Sequence, residues 1–150
     1  MKRAFITLTL FLLAVTLTSC SMVQRTSPEE IKRIAEQVEN SKLVILDIYH
    51  DRCESCKSIE PVINQLEKDY EGSKDVVFLK YDLSNPITVL NSRKIAKATG
   101  LEDIYRSQRF SGVVLIIDSK KKVALETLVG EYNINKYYGA IQKDLALNDS

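Results

Sequence analysis

The chain reads as an α/β protein, a central mixed β-sheet flanked by helices on both faces, and three observations carry that reading. Segments with a helical period alternate with short apolar runs rich in β-branched residues. One run, residues 42–49 (KLVILDIY), is apolar almost without interruption, as in a strand buried on both faces. Two later runs, residues 112–118 and 122–129, flank a Ser119-Lys120-Lys121 turn and read as a hairpin. The order α-β-α-β-α-β-β-α, without an internal repeat, describes one domain.

Each element has a local cause. Ser27-Pro28-Glu29-Glu30 is a helix start, with Ser at the N-cap, Pro at the first helical position and Glu placed to close a capping box. Ile31, Ile34, Ala35 and Val38 follow on one face. The strand at 42–49 comes next. Residues 53–71 read as a helix with Ile59, Val62, Ile63, Leu66 and Tyr70 inward, ended by Gly72-Ser73. Residues 75–82 (DVVFLKYD) form a second strand, and Ser84-Asn85-Pro86 a turn. Residues 87–99 are helical and stop at Gly100. The polar stretch 101–110 reads as a loop with room for a helical turn. Residues 133–147 close the chain as a helix carrying Ile134, Tyr137, Tyr138, Ile141 and Leu145.

The 150 residues are 45% apolar and 27% charged, the proportions of an ordinary globule. With 21 basic against 20 acidic side chains, the chain lacks the basic excess of a nucleic-acid binder. Three cysteines are too few for a disulfide framework. Lys2 and Arg3 precede an uncharged segment, 4–17, too short to span a bilayer but fitting a secretory signal. It ends Leu17-Thr18-Ser19-Cys20, which resembles the lipobox of bacterial lipoproteins. That resemblance implies removal of residues 1–19, acylation of Cys20, a tether over 20–26 and a folded domain over 27–150. Multiple acyl chains make a firm anchor. Ser21 after the cysteine resembles the outer-membrane sorting choice. The expected location is therefore a bacterial cell envelope, on the periplasmic side, where disulfides persist.

With Cys20 acylated, Cys53 and Cys56 are the remaining thiols. Cys53-Glu54-Ser55-Cys56-Lys57 lies where a buried strand gives way to a helix. A cysteine at a helix N-terminus is favoured as thiolate, the nucleophilic form. A second cysteine one turn on is placed to attack the resulting mixed disulfide.

The segment 44–61, VILDIYHDRCESCKSIEP, resembles the active-site stretch of the thioredoxin superfamily. Asp47, six residues before Cys53, matches the family's buried aspartate. Lys57 follows the second cysteine, and Pro61 matches the proline of the active-site helix. Phe78-Leu79-Lys80-Tyr81-Asp82 resembles the next family strand, with Lys80 placed near the aspartate, and Val129-Gly130 resembles the turn before the last helix. The resemblance covers roughly residues 28–147, although the family's usual first strand is not evident. It implies a thioredoxin-like fold and a redox-active Cys53–Cys56 disulfide. Cys53 would attack, Cys56 resolve, Asp47 assist deprotonation of Cys56, and Lys57 tune the local field. No diffusible cofactor is needed. The implied partners are client proteins with cysteines or disulfides and, for a reductive role, a membrane electron donor.

Four features depart from the family pattern. Arg52 replaces the aromatic residue before the first cysteine, and Glu54-Ser55 replaces Gly-Pro. The loop facing the dithiol falls on Ser111-Gly112-Val113, with Gly112 in place of the cis-proline. The stretch from Gly100 to Gly112 is also longer than in a minimal thioredoxin, offering a partner-specific surface. Two other readings stay open at this level. His50, Cys53 and Cys56 form H-x-x-C-x-x-C, a donor set suited to copper or zinc. Alternatively, the fold serves as a non-catalytic interaction module.

Overall fold

The computed structural model describes residues 26–148. The expected leader and Cys20 lie outside the described residues. In chain order the elements are α1 (Pro28–Asn40), β1 (Leu43–Tyr49), α2 (Glu54–Asp69), β2 (Val76–Asp82), α3 (Pro86–Ala98), α4 (Glu102–Ser107), β3 (Val113–Asp118), β4 (Val123–Val129) and α5 (Ile134–Asn148). The caps are those the residue types favour. Ser27 accepts the Glu30 N–H at 3.1 Å, and Asn85 with Thr88 forms a reciprocal capping box at α3.

Among the described residues the strands make one sheet in the order β2-β1-β3-β4. β1 and β2 are parallel, while β3 is antiparallel to both β1 and β4. The α2 connection between β1 and β2 makes their parallel pairing possible, because such strands need a long crossover. The β3–β4 turn is closed by the Asp118 carboxylate, which accepts the main-chain N–H groups of Lys120 and Lys121 at 2.9 and 2.8 Å.

Alternation along β1 divides the core. Val44, Leu46 and Ile48 join Val38, Ala96 and Leu101 on one face, and Leu43 and Ile45 join Ile59, Ile63, Leu66, Tyr137 and Ile141 on the other. Helices thus cover both faces, as the fold class required. Asp47 occupies the next position on the α2 and α5 face, a charged residue in an apolar row.

The polar stretch after Gly100, read as a loop with room for a helical turn, holds a six-residue helix, α4, so it is more ordered than its residues suggest. Its polar residues conceal two tertiary anchors. Leu101 is fully buried, and Tyr105 packs edge-on against Tyr81 with ring centroids 5.3 Å apart. On the outer side Arg106 reaches Glu102 at 2.7 Å, one turn back.

Candidate active site

β1 delivers the chain to α2 through a tight turn in which the Cys53 N–H bonds the His50 carbonyl at 3.1 Å. Cys53 is then the N-cap of α2, and its sulfur accepts the Cys56 main-chain N–H at 3.2 Å. A helix N-terminus presents unpaired N–H groups and the positive end of its dipole, so a sulfur there is stabilised as an anion. Cys56 lies one turn inward and is buried, its thiol 3.9 Å from the Ile48 carbonyl. That carbonyl also accepts the Gly112 N–H at 2.9 Å, so a single β1 group ties the inner cysteine to the facing loop.

The two thiols are electrostatically unequal. Burial pushes Cys53 up, but hydrogen bonds from the Cys56 thiol, the Ser111 hydroxyl and the main-chain N–H groups of Cys56 and Ser55 outweigh it. Its pKa therefore falls below the ordinary thiol value. For Cys56 burial dominates, and its hydrogen bond to Cys53 adds to it, so its pKa is raised. This is the division a nucleophile and a resolving thiol need.

Ser111 belongs to this machinery, a role the sequence reading missed. It places Ser111 in the substrate loop, whereas the side chain also lowers the pKa of both cysteines. The signal lay in its position one residue before Gly112. Ser111→Ala is expected to raise the Cys53 pKa, since a donor to the thiolate is lost. Thiolate absorbance against pH in the reduced chain reads this directly; an unmoved Cys53 midpoint would remove Ser111 from the site.

Gly112 packs closely against the dithiol. It has φ +76°, and a Cβ there would stand 2.9 Å from the Ser55 Cβ and 3.3 Å from the Cys53 sulfur. The loop therefore lies directly against the dithiol, and only a glycine fits. Its carbonyl accepts the Gly130 N–H at 2.9 Å, joining the hairpin end to the loop. Val113, the third residue of this loop, starts β3 and is buried opposite Ile48.

Asp47 is 4% exposed, and its Oδ1 has no hydrogen-bond partner. Burial raises its pKa to about 6; Lys80 works against this, whereas Glu60, Glu67 and Asp82 add to it. Lys57, expected to tune the cysteines, instead pairs with Glu54 at 2.7 Å on the exposed side of α2. His50 Nδ1 accepts the Arg52 N–H at 3.0 Å. Among the described residues no three His, Cys, Asp or Glu side chains converge as a metal ion requires, so the alternative set His50, Cys53 and Cys56 is not assembled here.

Comparison with known proteins shows the family. The thioredoxin family model matches residues 23–102. Protein disulfide-isomerase A4 of Rattus norvegicus is 39% identical over 69 residues, covering 45% of this chain and 10% of that protein. The Mus musculus protein of the same name is 38% identical over 52 residues, covering 34% and 8%. The chain thus spans a tenth or less of the length of these curated relatives. Among solved structures, a reduced thioredoxin pre-protein of Schistosoma mansoni has 21% identity and TM-score 0.48, covering 76% of this chain and 89% of its own. Thioredoxin f2 of Chlamydomonas reinhardtii has 19% identity and TM-score 0.46, covering 69% and 80%.

Proposed function

Because the chain belongs to the thioredoxin family, we propose that it is a thiol-disulfide oxidoreductase acting on protein clients through Cys53 and Cys56. The observation that carries this reading is the inequality of the two thiols, one lowered at a helix N-terminus and one raised in the core.

The steps follow from that inequality. The Cys53 thiolate attacks one sulfur of a client disulfide; the client S–S bond breaks, a mixed disulfide forms, and a client thiolate leaves. Cys56 gives up its proton, with Asp47 assisting as acceptor. Its thiolate attacks the Cys53 sulfur of the mixed disulfide, which releases the second client thiolate and closes Cys53–Cys56. The client gains two electrons and the chain loses two. In reverse the same steps oxidise a client dithiol, and the potential difference sets the direction. Phe110, Val129 and Tyr132, which adjoin the Ser111–Gly112 loop and Gly130 in sequence, are 77%, 72% and 71% exposed. They give an apolar client segment a surface beside the sulfurs.

Cys56→Ser tests the reading. It should trap clients on Cys53 as adducts that a reductant dissolves on a non-reducing gel, while Cys53→Ser should trap none. Absence of adducts, together with failure of the unaltered chain to reduce insulin disulfides, would overturn it.

The location is part of the proposal and rests on the leader and lipobox-like residues. Cys20, acylated after removal of residues 1–19, would anchor the domain at the periplasmic face of an envelope membrane. Labelled palmitate should enter the chain and be lost with Cys20→Ala. A membrane electron donor would then keep the dithiol reduced.

A further inference from the structure

Asp47 and Lys80 are register partners on neighbouring strands, so the Lys80 ammonium is the natural neutralising group for the buried carboxyl. The ammonium is held elsewhere. Lys80 Nζ stands 3.4 Å from Glu60 Oε1 and 4.5 Å above the centroid of the Tyr49 ring. Meanwhile Asp47 Oδ1, sealed from solvent, has no hydrogen-bond partner. Three elements present charged or titratable groups to Asp47: Lys80 and Asp82 from β2, Glu60 and Glu67 from α2, and Tyr137 from α5. Lys80 is the sole cation in that set, and it pairs with Glu60.

We propose that Glu60 is a positioning residue for proton transfer at the dithiol: it holds the Lys80 ammonium at the outer rim of α2 and so keeps the Asp47 carboxyl short of a counter-charge. The inference rests on the oxidoreductase reading and extends it to the pH at which Asp47 can accept the Cys56 proton. Glu60 acts in two ways. Its own charge disfavours the Asp47 carboxylate, and its grip on Lys80 withholds the group that would favour it. Both raise the pH at which Asp47 ionises, and only the second requires Lys80. Glu60 and Lys80 are about two-fifths exposed, which makes their contact adjustable without disturbing the core.

The test is the titration of the Asp47 carboxyl, followed by its carbon chemical shift in the reduced full chain. Glu60→Gln should move the midpoint down by about one pH unit as Lys80 turns to Asp47. Glu60→Asp should keep it near the original value. In a Lys80→Met background the effect of Glu60→Gln should shrink markedly. A midpoint unmoved by Glu60→Gln, or an equal movement with and without Lys80, overturns the proposal. The low-pH limb of insulin reduction should follow the midpoint. If insulin is not reduced at any pH while the midpoint still responds, the oxidoreductase reading fails and the charge arrangement stands.

Discussion

Replacing Asp47 by Asn should stabilise the folded chain at pH 7 by about 3 kcal/mol, with no gain below pH 4. The carboxyl is raised from 3.8 to about 6 by burial. A carboxyl raised in the folded state binds its proton more tightly there than in the unfolded chain. Between about pH 4 and 6 the native state holds a proton that the unfolded state has lost, so stability falls as pH rises through that window. Above about 6 the full cost is present, and at 1.36 kcal/mol per unit it comes to about 3 kcal/mol. Asparagine is nearly isosteric and never carries the charge. Urea unfolding at pH 4 and pH 7 separates this effect from packing: a gain equal at both values would mean that Asp47 ionisation is not its source. The same variant should slow resolution by Cys56, because the proton acceptor is gone. Stability gained and turnover lost together mark a charge kept for chemistry.

Gly112→Ala should cost about 3 kcal/mol of stability and slow exchange at Cys53. The left-handed φ of +76° penalises any side chain by roughly 1–2 kcal/mol. Contact of the new Cβ with the Ser55 Cβ at 2.9 Å forces a shift, adding about 1–3 kcal/mol. The displaced loop would also carry the Ser111 hydroxyl away from the sulfurs. In a Ser55→Gly background the steric part should be recovered and the backbone part should remain. Thermal unfolding of the single and double variants measures this. Equal costs in both backgrounds would mean that Ser55 does not limit the loop. Two departures from the family pattern, Ser55 and Gly112, are in physical terms one: the serine side chain takes the space that a side chain at 112 would need.

Much of this was legible in the residues because its causes are local or periodic. The cap at Ser27, the continuous apolar run of β1 and the Cys53–Cys56 spacing before a helix each depend on neighbours within a few positions. They predict the element order, the sheet between two helical layers and the position of the dithiol. Asp47 was legible too, as a charge in a row that must be buried. α4 was not, because its stability comes from Leu101 and Tyr105 meeting the core, and polar residues hide that contact.

What tertiary structure alone decided is the set of distances between segments remote in sequence. The resemblance places Lys57 at the dithiol and Lys80 near the aspartate, yet Lys57 pairs with Glu54 on the exposed side of α2, and Lys80, opposite Asp47, is held by Glu60. Ser111 lies 55 residues after Cys56 in the chain and still lowers the pKa of both thiols, because β3 pairs with β1. His50 lies within the dithiol motif by spacing and turns to the Arg52 amide in space. Electrostatic and hydrogen-bond energies depend on separations of a few ångströms and on burial. The sequence by itself determined which groups exist and on which elements they ride; the packing of β1 against its neighbours determined which of them meet.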